Sequence, residues 1–259
     1  MTCSLPKLQV FRSATLSQVP TPSSYGSMIA LHGFRAAVIA AGVILCLSLT
    51  LSAMGGSNSS LDRVGGTRKC STHLGEVEVQ ILGPEDSEKP LILALHGMSS
   101  ADFILREWDA IASQLAGQGY RVALPNLHSN PKTAPKMLGG VTETDAAQLL
   151  QMLVSELSPL RPIVLMGKSW GGATAAKFAH RHPDLVEKLV LVCPASTPPL
   201  DLRLPLLLLW AEDDWVTWFR QGVRAYEECP QLTLQSSKKG GHRILPEYWQ
   251  PLQSFLAPQ

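Results

Sequence analysis

The feature that most constrains the fold is a serine held between two glycines at a change of sequence pattern. Residues 167–171 read Gly-Lys-Ser-Trp-Gly. The residues before them, 161–166, are mostly apolar, whereas residues 172–182 are rich in small side chains that favour a helix. Glycine has no Cβ, so a strand and a helix can meet at these positions in one sharp turn. The pattern therefore predicts a strand, a tight turn that presents Ser169, and a helix whose first N–H groups face that serine.

The same residues also match the end of a phosphate-binding P-loop, which finishes in Gly-Lys-Ser. A P-loop requires another glycine five residues before its last glycine, with flexible residues between the two. Position 162 is Pro, and residues 163–166 belong to the predicted strand. Spacing and conformation therefore both exclude the P-loop interpretation.

An activated serine requires a base, and the base requires an acid that orients it. Residues 204–210 form an unbroken apolar run, typical of a buried parallel strand, and the acidic residues 212–214 follow directly. Residues 231–236 read as another short strand, followed by paired glycines and His242. Both loops would follow the carboxyl ends of strands, where open α/β sheets place their sites.

These motifs, in this order, resemble those of the α/β-hydrolase superfamily. A further match is Leu95-His96-Gly97-Met98 after an early strand at 91–95, and the resemblance covers the chain from about Thr67 to Pro258. It implies an α/β-hydrolase fold with a mostly parallel central sheet and helices on both faces. Because strand-like and helix-like segments alternate along the chain, the residue pattern supports the same architecture.

The resemblance implies a role for each residue that matches a family motif. Ser169 would be the nucleophile, His242 the general base and Asp214 the acid of a catalytic triad. The backbone N–H groups of Met98 and Trp170 would form the oxyanion hole. Such a triad requires no cofactor, and no His, Cys or acid spacing in the sequence indicates a metal site.

Three neighbouring acidic residues could supply the acid of the triad. In relatives the turn usually reads Gly-x-x-Asp, and here Ala211 stands in place of the glycine. Alignment on that pattern selects Asp214. Asp213 and Glu212 remain alternatives.

Many α/β-hydrolases insert a helical cap domain further along the chain. It comes after the strand that follows the helix next to the nucleophile, here the helix predicted at 172–182. Here roughly ten residues separate Cys193 from the next strand near Leu204, which is too few for a cap. We therefore expect an open, shallow substrate pocket with no cap domain. Its expected walls are Met98, Ser99, Trp170, Trp215 and Trp218.

Basic side chains near the motifs allow two interpretations. Lys168, Lys238, Lys239 and Arg243 could give the pocket mouth a positive potential, or they could form an ordinary solvated rim. The net charge of +1 gives no basis for nucleic-acid binding. Five cysteines do not suggest a disulfide framework, and Cys70 with Cys229 would be the pair to test in a luminal domain.

The first quarter of the chain differs in composition from the rest. No acidic residue occurs before Asp62, and residues 36–53 are uncharged, apolar and just long enough to span a bilayer. The predicted organisation is a basic Ser/Thr/Pro-rich tail at 1–35, a hydrophobic anchor or signal segment at 36–54, a linker at 55–66 and an α/β-hydrolase domain at 67–259. We expect a single-pass membrane protein with an N-terminal signal anchor. Entry into the secretory pathway, a plastid or a mitochondrion after cleavage of the leader is the alternative.

The sequence therefore predicts a serine hydrolase that acts on a small or surface-presented acyl ester, thioester or amide through an acyl-enzyme. The alternative from another class is a catalytically silent α/β-hydrolase-fold binding or interaction module tethered to a membrane. The intact Ser, Asp and His argue against this alternative, while Lys168 and Ala211 are mild departures from the usual motifs.

Overall fold

The computed structural model describes residues 65–98, 106–134, 141–196 and 202–258. The predicted tail, the hydrophobic segment at 36–54 and nearly all of the linker lie outside these residues, as does Ser99. Within the described ranges, no helix combines the length and apolar character needed to cross a bilayer.

Within the part of the chain that the structure describes, eight strands form one sheet in the order β1-β2-β4-β3-β5-β6-β7-β8. The first two strands form an antiparallel hairpin, β2 pairs antiparallel with β4, and all later neighbours pair in parallel. The mostly parallel sheet of an α/β-hydrolase fold is thereby confirmed. The strands are β1 Thr67–Thr72, β2 Gly75–Leu82, β3 Ile92–Leu95, β4 Val122–Asn126, β5 Ile163–Lys168, β6 Val186–Val192, β7 Leu206–Ala211 and β8 Leu232–Ser237.

Five helices of eight or more residues connect or follow the described strands. They are α1 Asp109–Gly117, α2 Glu143–Leu157, α3 Trp170–Arg181, α4 Phe219–Tyr226 and α5 Trp249–Leu256. The N-terminus of α2 is capped, because the Thr142 hydroxyl accepts a hydrogen bond from the Asp145 backbone N–H at 3.1 Å.

The central strands are buried along their whole length. Every residue of β3, β5 and β7 is buried. Since successive strand residues point to opposite faces, both faces of the sheet are covered in this region. The edge strand β8 is mostly exposed, as expected where only one neighbour is present. The carboxyl ends of β5 and β7 therefore lie in the buried part of the sheet, and that of β8 lies at its edge.

The observed strand bounds differ from the predicted ones by one or two residues. The strand predicted at 161–166 is Ile163–Lys168, because its ladder with β6 continues through Gly167 to Lys168. Residues 106–107 are helical, but the helix is interrupted at Trp108, and α1 begins at Asp109. The buried Trp108 indole N–H donates to the Leu95 carbonyl at 3.2 Å and thereby packs this turn against β3.

The connection between β6 and β7 runs from residue 193 to 205, of which 197–201 lie outside the described residues. Its length leaves no room for a helical cap domain. Cys70 and Cys229 are free and buried. Cys70 lies in β1 and Cys229 just before β8, at opposite edges of the sheet, so the disulfide considered from the sequence is not formed.

Candidate active site

Ser169 occupies the sharp turn between β5 and α3, as the sequence predicts. Its backbone lies at φ 52° and ψ −117°, a conformation that costs a non-glycine residue on the order of 1–3 kcal/mol. Two hydrogen bonds hold the turn against the end of β6. The Ser169 N–H donates to the Val192 carbonyl, and the Ser169 carbonyl accepts from the Ala195 N–H, both at 3.0 Å. The strain is therefore sustained by backbone contacts on the neighbouring strand.

The glycines on either side of the turn permit close backbone approach. A Cβ on Gly167 would lie 2.4 Å from the Gly171 carbonyl oxygen, and a Cβ on Gly171 would lie 2.4 Å from the His96 carbonyl oxygen. Neither separation is possible for a real side chain. These two positions therefore require glycine for the strand, the turn and the oxyanion loop to pack together.

The three acidic residues after β7 have three different partners. Glu212 is exposed and pairs with Lys238 at 2.7 Å. Asp213 accepts a hydrogen bond from the Gly241 N–H at 2.8 Å. Only Asp214 contacts His242, with 2.9 Å between its Oδ2 and the ring Nδ1. The geometry therefore favours Asp214 over the two alternatives that the sequence left open.

Asp214 is buried, with 4% of its surface exposed, and it is saturated with donors. Its Oδ2 accepts from the Trp210 indole at 3.0 Å and from the Thr217 hydroxyl at 2.9 Å, while its Oδ1 accepts from the Val216 N–H at 2.8 Å. Burial by itself raises the pKa of Asp214. The hydrogen bond and charge of His242, with further bonds from Thr217, outweigh burial and lower the pKa to about 2. The carboxylate is therefore ionised at neutral pH.

His242 lies on the loop after β8. Like Ser169 and Asp214, it is therefore at the carboxyl end of the parallel strands. Because Nδ1 faces the carboxylate, Nε2 is the nitrogen left to act on a nucleophile. Among the described residues, no hydrogen bond joins the Ser169 hydroxyl to this ring. Such a contact is often long without substrate and tightens when substrate binds.

The predicted oxyanion loop, residues 96–98 after β3, is fixed by a buried histidine. The His96 Nδ1 donates to the Gly97 carbonyl at 2.7 Å, and its Nε2 accepts from the Leu127 N–H at 3.1 Å. One nitrogen donates and the other accepts, which defines a neutral ring. Burial lowers the pKa of His96 to about 4, so the ring stays neutral at physiological pH.

A buried ion pair connects this loop to the strand that leads into Ser169. The Lys168 ammonium contacts Oε1 of Glu107, and Oε2 of Glu107 accepts from the Gly97 N–H at 2.9 Å. The solvated-rim interpretation is therefore wrong for Lys168, although Lys238, Lys239 and Arg243 are exposed. Sequence reasoning missed Glu107, since nothing in its local pattern distinguishes it from a solvated helix residue.

The remaining expected pocket residues surround the turn to different extents. Trp170 begins α3 and is partly buried, and Met98 is at the last described position of the oxyanion loop. Trp215 and Trp218 are 48% and 61% exposed on the turn that carries Asp214. A small apolar cavity of about 10 Å³, close to the space of one water molecule, lies beside Trp170. It is lined by Leu95, Leu127, Leu150 and others.

Thr217 and Cys193 are two further residues that the sequence did not single out. The Thr217 hydroxyl lies 3.4 Å from the His242 Nδ1 as well as 2.9 Å from Asp214, so it buttresses the His–Asp pair. The Cys193 sulfur lies within 4.8 Å of ligand atoms of Asp214 and His242, a spacing that could suit a metal ion. Burial raises the pKa of this thiol, which opposes the thiolate that metals bind.

Known proteins share this architecture. A family model described as the alpha/beta hydrolase fold matches residues 90–204. A 1-acylglycerol-3-phosphate O-acyltransferase of Arabidopsis thaliana is 30% identical over 136 residues, which cover 51% of this chain and 29% of the relative. A probable enzyme of the same name from Oryza sativa subsp. japonica is 34% identical over 117 residues, which cover 43% and 27% respectively. This chain thus spans less than a third of the length of either plant relative.

A solved structure extends the likeness over more of the chain. The naproxen esterase (carboxylesterase NP) of Bacillus subtilis superposes with a TM-score of 0.61 at 19% identity, covering 75% of this chain and 92% of the esterase. At this identity the likeness concerns the fold. The sheet order, the turn at Ser169 and the family match together show the α/β-hydrolase fold.

Proposed function

We propose that this protein is a serine hydrolase that cleaves small or surface-presented acyl esters, thioesters or amides. The single observation that carries the proposal is the ionised, buried Asp214 hydrogen-bonded to His242 on the sheet edge where the strained turn presents Ser169. Three groups with these roles, on loops after three parallel strands, form the arrangement that activates a serine.

The reaction proceeds through an acyl-enzyme. The Ser169 oxygen attacks the acyl carbonyl while His242 Nε2 takes the hydroxyl proton, and Asp214 stabilises the imidazolium. The carbonyl oxygen gains the negative charge and accepts from the Met98 and Trp170 N–H groups. The imidazolium then protonates the leaving group as the tetrahedral intermediate collapses. Water repeats these steps on the acyl-enzyme and releases the acid.

One observation supports a short acyl group. The connection between β6 and β7 is too short to carry a cap that would enclose a long chain. The exposed Trp215 and Trp218, with the anchor predicted at residues 36–53, suit a substrate presented at a membrane surface.

Acyl transfer is a second candidate, favoured by the acyltransferase names of the two plant relatives. Their matches cover less than a third of each relative, and transfer differs from hydrolysis only in the second step. An alcohol or amine would then replace water as the acceptor of the Ser169 acyl group.

The experiment is a turnover assay of the full-length protein in detergent micelles with p-nitrophenyl acetate, butyrate and octanoate. We expect turnover with acetate above octanoate, and loss of all three activities in Ser169→Ala. Turnover of p-nitrophenyl acetate with added 1-acylglycerol-3-phosphate, the acceptor in the names of the two plant relatives, separates transfer from hydrolysis by the acylated product. A silent binding module would give wild-type and Ser169→Ala proteins with the same background rate.

A further inference from the structure

We propose that Glu107 and Lys168 form a positioning pair that holds the oxyanion loop against the nucleophile turn and cancels the charge of the carboxylate there. The inference rests on the proposed hydrolase function. It assigns a role to two charged residues that the Ser169, Asp214 and His242 mechanism does not use.

The pair bridges the two segments that carry the proposed oxyanion donors. Glu107 holds the Gly97 N–H with one carboxylate oxygen and the Lys168 ammonium with the other. Gly97 directly precedes Met98, and Lys168 directly precedes Ser169. Glu107 therefore constrains the donor loop and the nucleophile turn through one side chain.

The distances place the pair next to the reacting atoms without direct contact. A Cβ on Gly97 would lie 3.4 Å from the Ser169 Cβ and 3.6 Å from each oxygen of the Glu107 carboxylate. The carboxylate is thus separated from the serine only by the width of the glycine. An error of about 1 Å in such a loop can cost about 100-fold in rate, because the donors must face the developing oxyanion.

Burial makes the charge balance important. The side chains of Lys168 and Glu107 are 9% and 4% exposed, so water screens neither charge. An unpaired carboxylate here would oppose the negative charge that forms on the substrate oxygen. Lys168 removes that opposition. A buried ion pair is a poor means of stabilising a fold, since apolar residues of similar size do as well or better.

A second buried lysine supplies a matched control. Lys188 lies in β6 near the amino end of the sheet, where its ammonium donates to the Phe255 and Ala257 carbonyls at 3.0 and 3.2 Å. It is about as buried as Lys168, but among the residues that the structure describes it has no carboxylate partner and no link to the turn. Lys188→Met therefore measures the effect of losing a buried lysine from this sheet.

The test is the second-order rate of fluorophosphonate labelling of full-length protein, with ester kcat and KM measured in parallel. Labelling rates are normalised to the folded fraction from near-UV circular dichroism. Lys168→Met should slow labelling by about 100-fold and lower kcat with little change in KM. Lys188→Met should lower the unfolding temperature and leave the labelling rate of folded protein within about twofold of wild type.

The double variant distinguishes positioning from support of the fold. In Glu107→Gln the amide NH₂ must face either the Gly97 N–H or the Lys168 ammonium, a donor against a donor. In Glu107→Gln with Lys168→Met, the amide oxygen takes the Gly97 N–H and no charge remains buried. We expect the double variant to label about tenfold faster than Lys168→Met. Glu107→Gln alone supplies the test if Lys168→Met does not fold.

Equal labelling by folded wild-type, Lys168→Met and Glu107→Gln proteins would overturn the positioning role and leave the hydrolase proposal intact. A double variant slower than Lys168→Met would overturn the charge-balance role. No labelling of folded wild-type protein would overturn the proposed function, and this inference with it.

Discussion

The two ends of the central sheet use buried polar groups in different ways. At the carboxyl end, the described non-glycine residues with positive φ are Ser169, Cys193 and Trp218, which follow β5, β6 and the acid turn. At the amino end, by contrast, polar groups such as the Tyr120 hydroxyl only satisfy a helix-terminal carbonyl, here that of Leu256 at 3.2 Å. The strained backbone positions therefore lie at the end of the sheet where the proposed chemistry occurs. Strained residues commonly cluster at functional sites.

The two buried lysines show the same contrast one strand apart. Lys168 ends β5 and faces a carboxylate, whereas Lys188 near the start of β6 faces two carbonyls. The two lysines are similarly buried but differ in role. Lys168 positions the loop and the turn at the carboxyl end, whereas Lys188 binds backbone carbonyls that stabilise the fold at the amino end. Substitutions of polar side chains at the carboxyl end should change activity more than stability, and those at the amino end should do the reverse.

The largest effect is expected for His242→Ala. Loss of the base should reduce ester turnover by about 10⁴- to 10⁶-fold, because the serine can no longer transfer its proton. The matched amino-end variant is Tyr120→Phe, which removes one buried hydrogen bond and should leave kcat within about twofold of wild type. Steady-state kinetics on both proteins make the measurement, and a Tyr120→Phe loss as large as that of His242→Ala would break the contrast.

Asp214→Asn should come next, with turnover reduced on the order of 10⁴-fold because the His242 tautomer is no longer fixed. Asp213→Asn is its matched control. The new amide oxygen can still accept from the Gly241 N–H, so activity should stay close to wild type. If Asp213→Asn were instead the inactive variant, the assignment of the acid would move to position 213.

Two glycine-to-alanine substitutions test how tightly the backbone packs at the carboxyl and amino ends of the sheet. Gly171→Ala should destabilise the fold by about 3 kcal/mol and slow labelling, because its Cβ meets the His96 and Leu95 carbonyls. Gly117→Ala at the end of α1 has open space and should stabilise the protein by about 0.5 kcal/mol. Urea unfolding of both variants gives the two free energies. A harmless Gly171→Ala would contradict the close approach of the elbow to the oxyanion loop.

The smallest effect concerns acid stability. The pKa of Asp214 is about 2 in the folded protein against an ordinary 3.8, so its stabilisation is complete above about pH 4 and is lost as pH falls toward 2. Roughly 2 kcal/mol depends on this group. Urea midpoints between pH 5.5 and 3 should fall less steeply for Asp214→Asn than for wild type. Parallel slopes would show that the His242 contact does not hold the carboxylate ionised.

Much of the fold was predictable because buried parallel strands consist of apolar runs. The strand predicted at 204–210 is observed as Leu206–Ala211, and the one at 231–236 as Leu232–Ser237. The bounds shift by one or two residues because pairing with a neighbouring strand, absent from the local pattern, decides where a ladder ends. The break at Trp108 was not predictable, since it depends on the contact of the indole with β3.

The sequence predicted those site residues that directly follow a strand. It did not predict a contact between two residues that are distant in the chain. Ser169, Asp214 and His242 each stand just beyond a strand-like run, so topology alone assigns them to one edge. Glu107 is 61 positions from Lys168 and lies in a segment of ordinary helix composition. Only the packing of α1 and its preceding turn against β3 brings the two charges together.

The measurement that tests the central claim most directly is fluorophosphonate labelling of the full-length protein, followed by peptide mass spectrometry. The account predicts one phosphonyl adduct per chain, on Ser169, that is absent from Ser169→Ala and strongly reduced in His242→Ala. A folded wild-type protein that takes no label, or one that carries the adduct on a different residue, would contradict it.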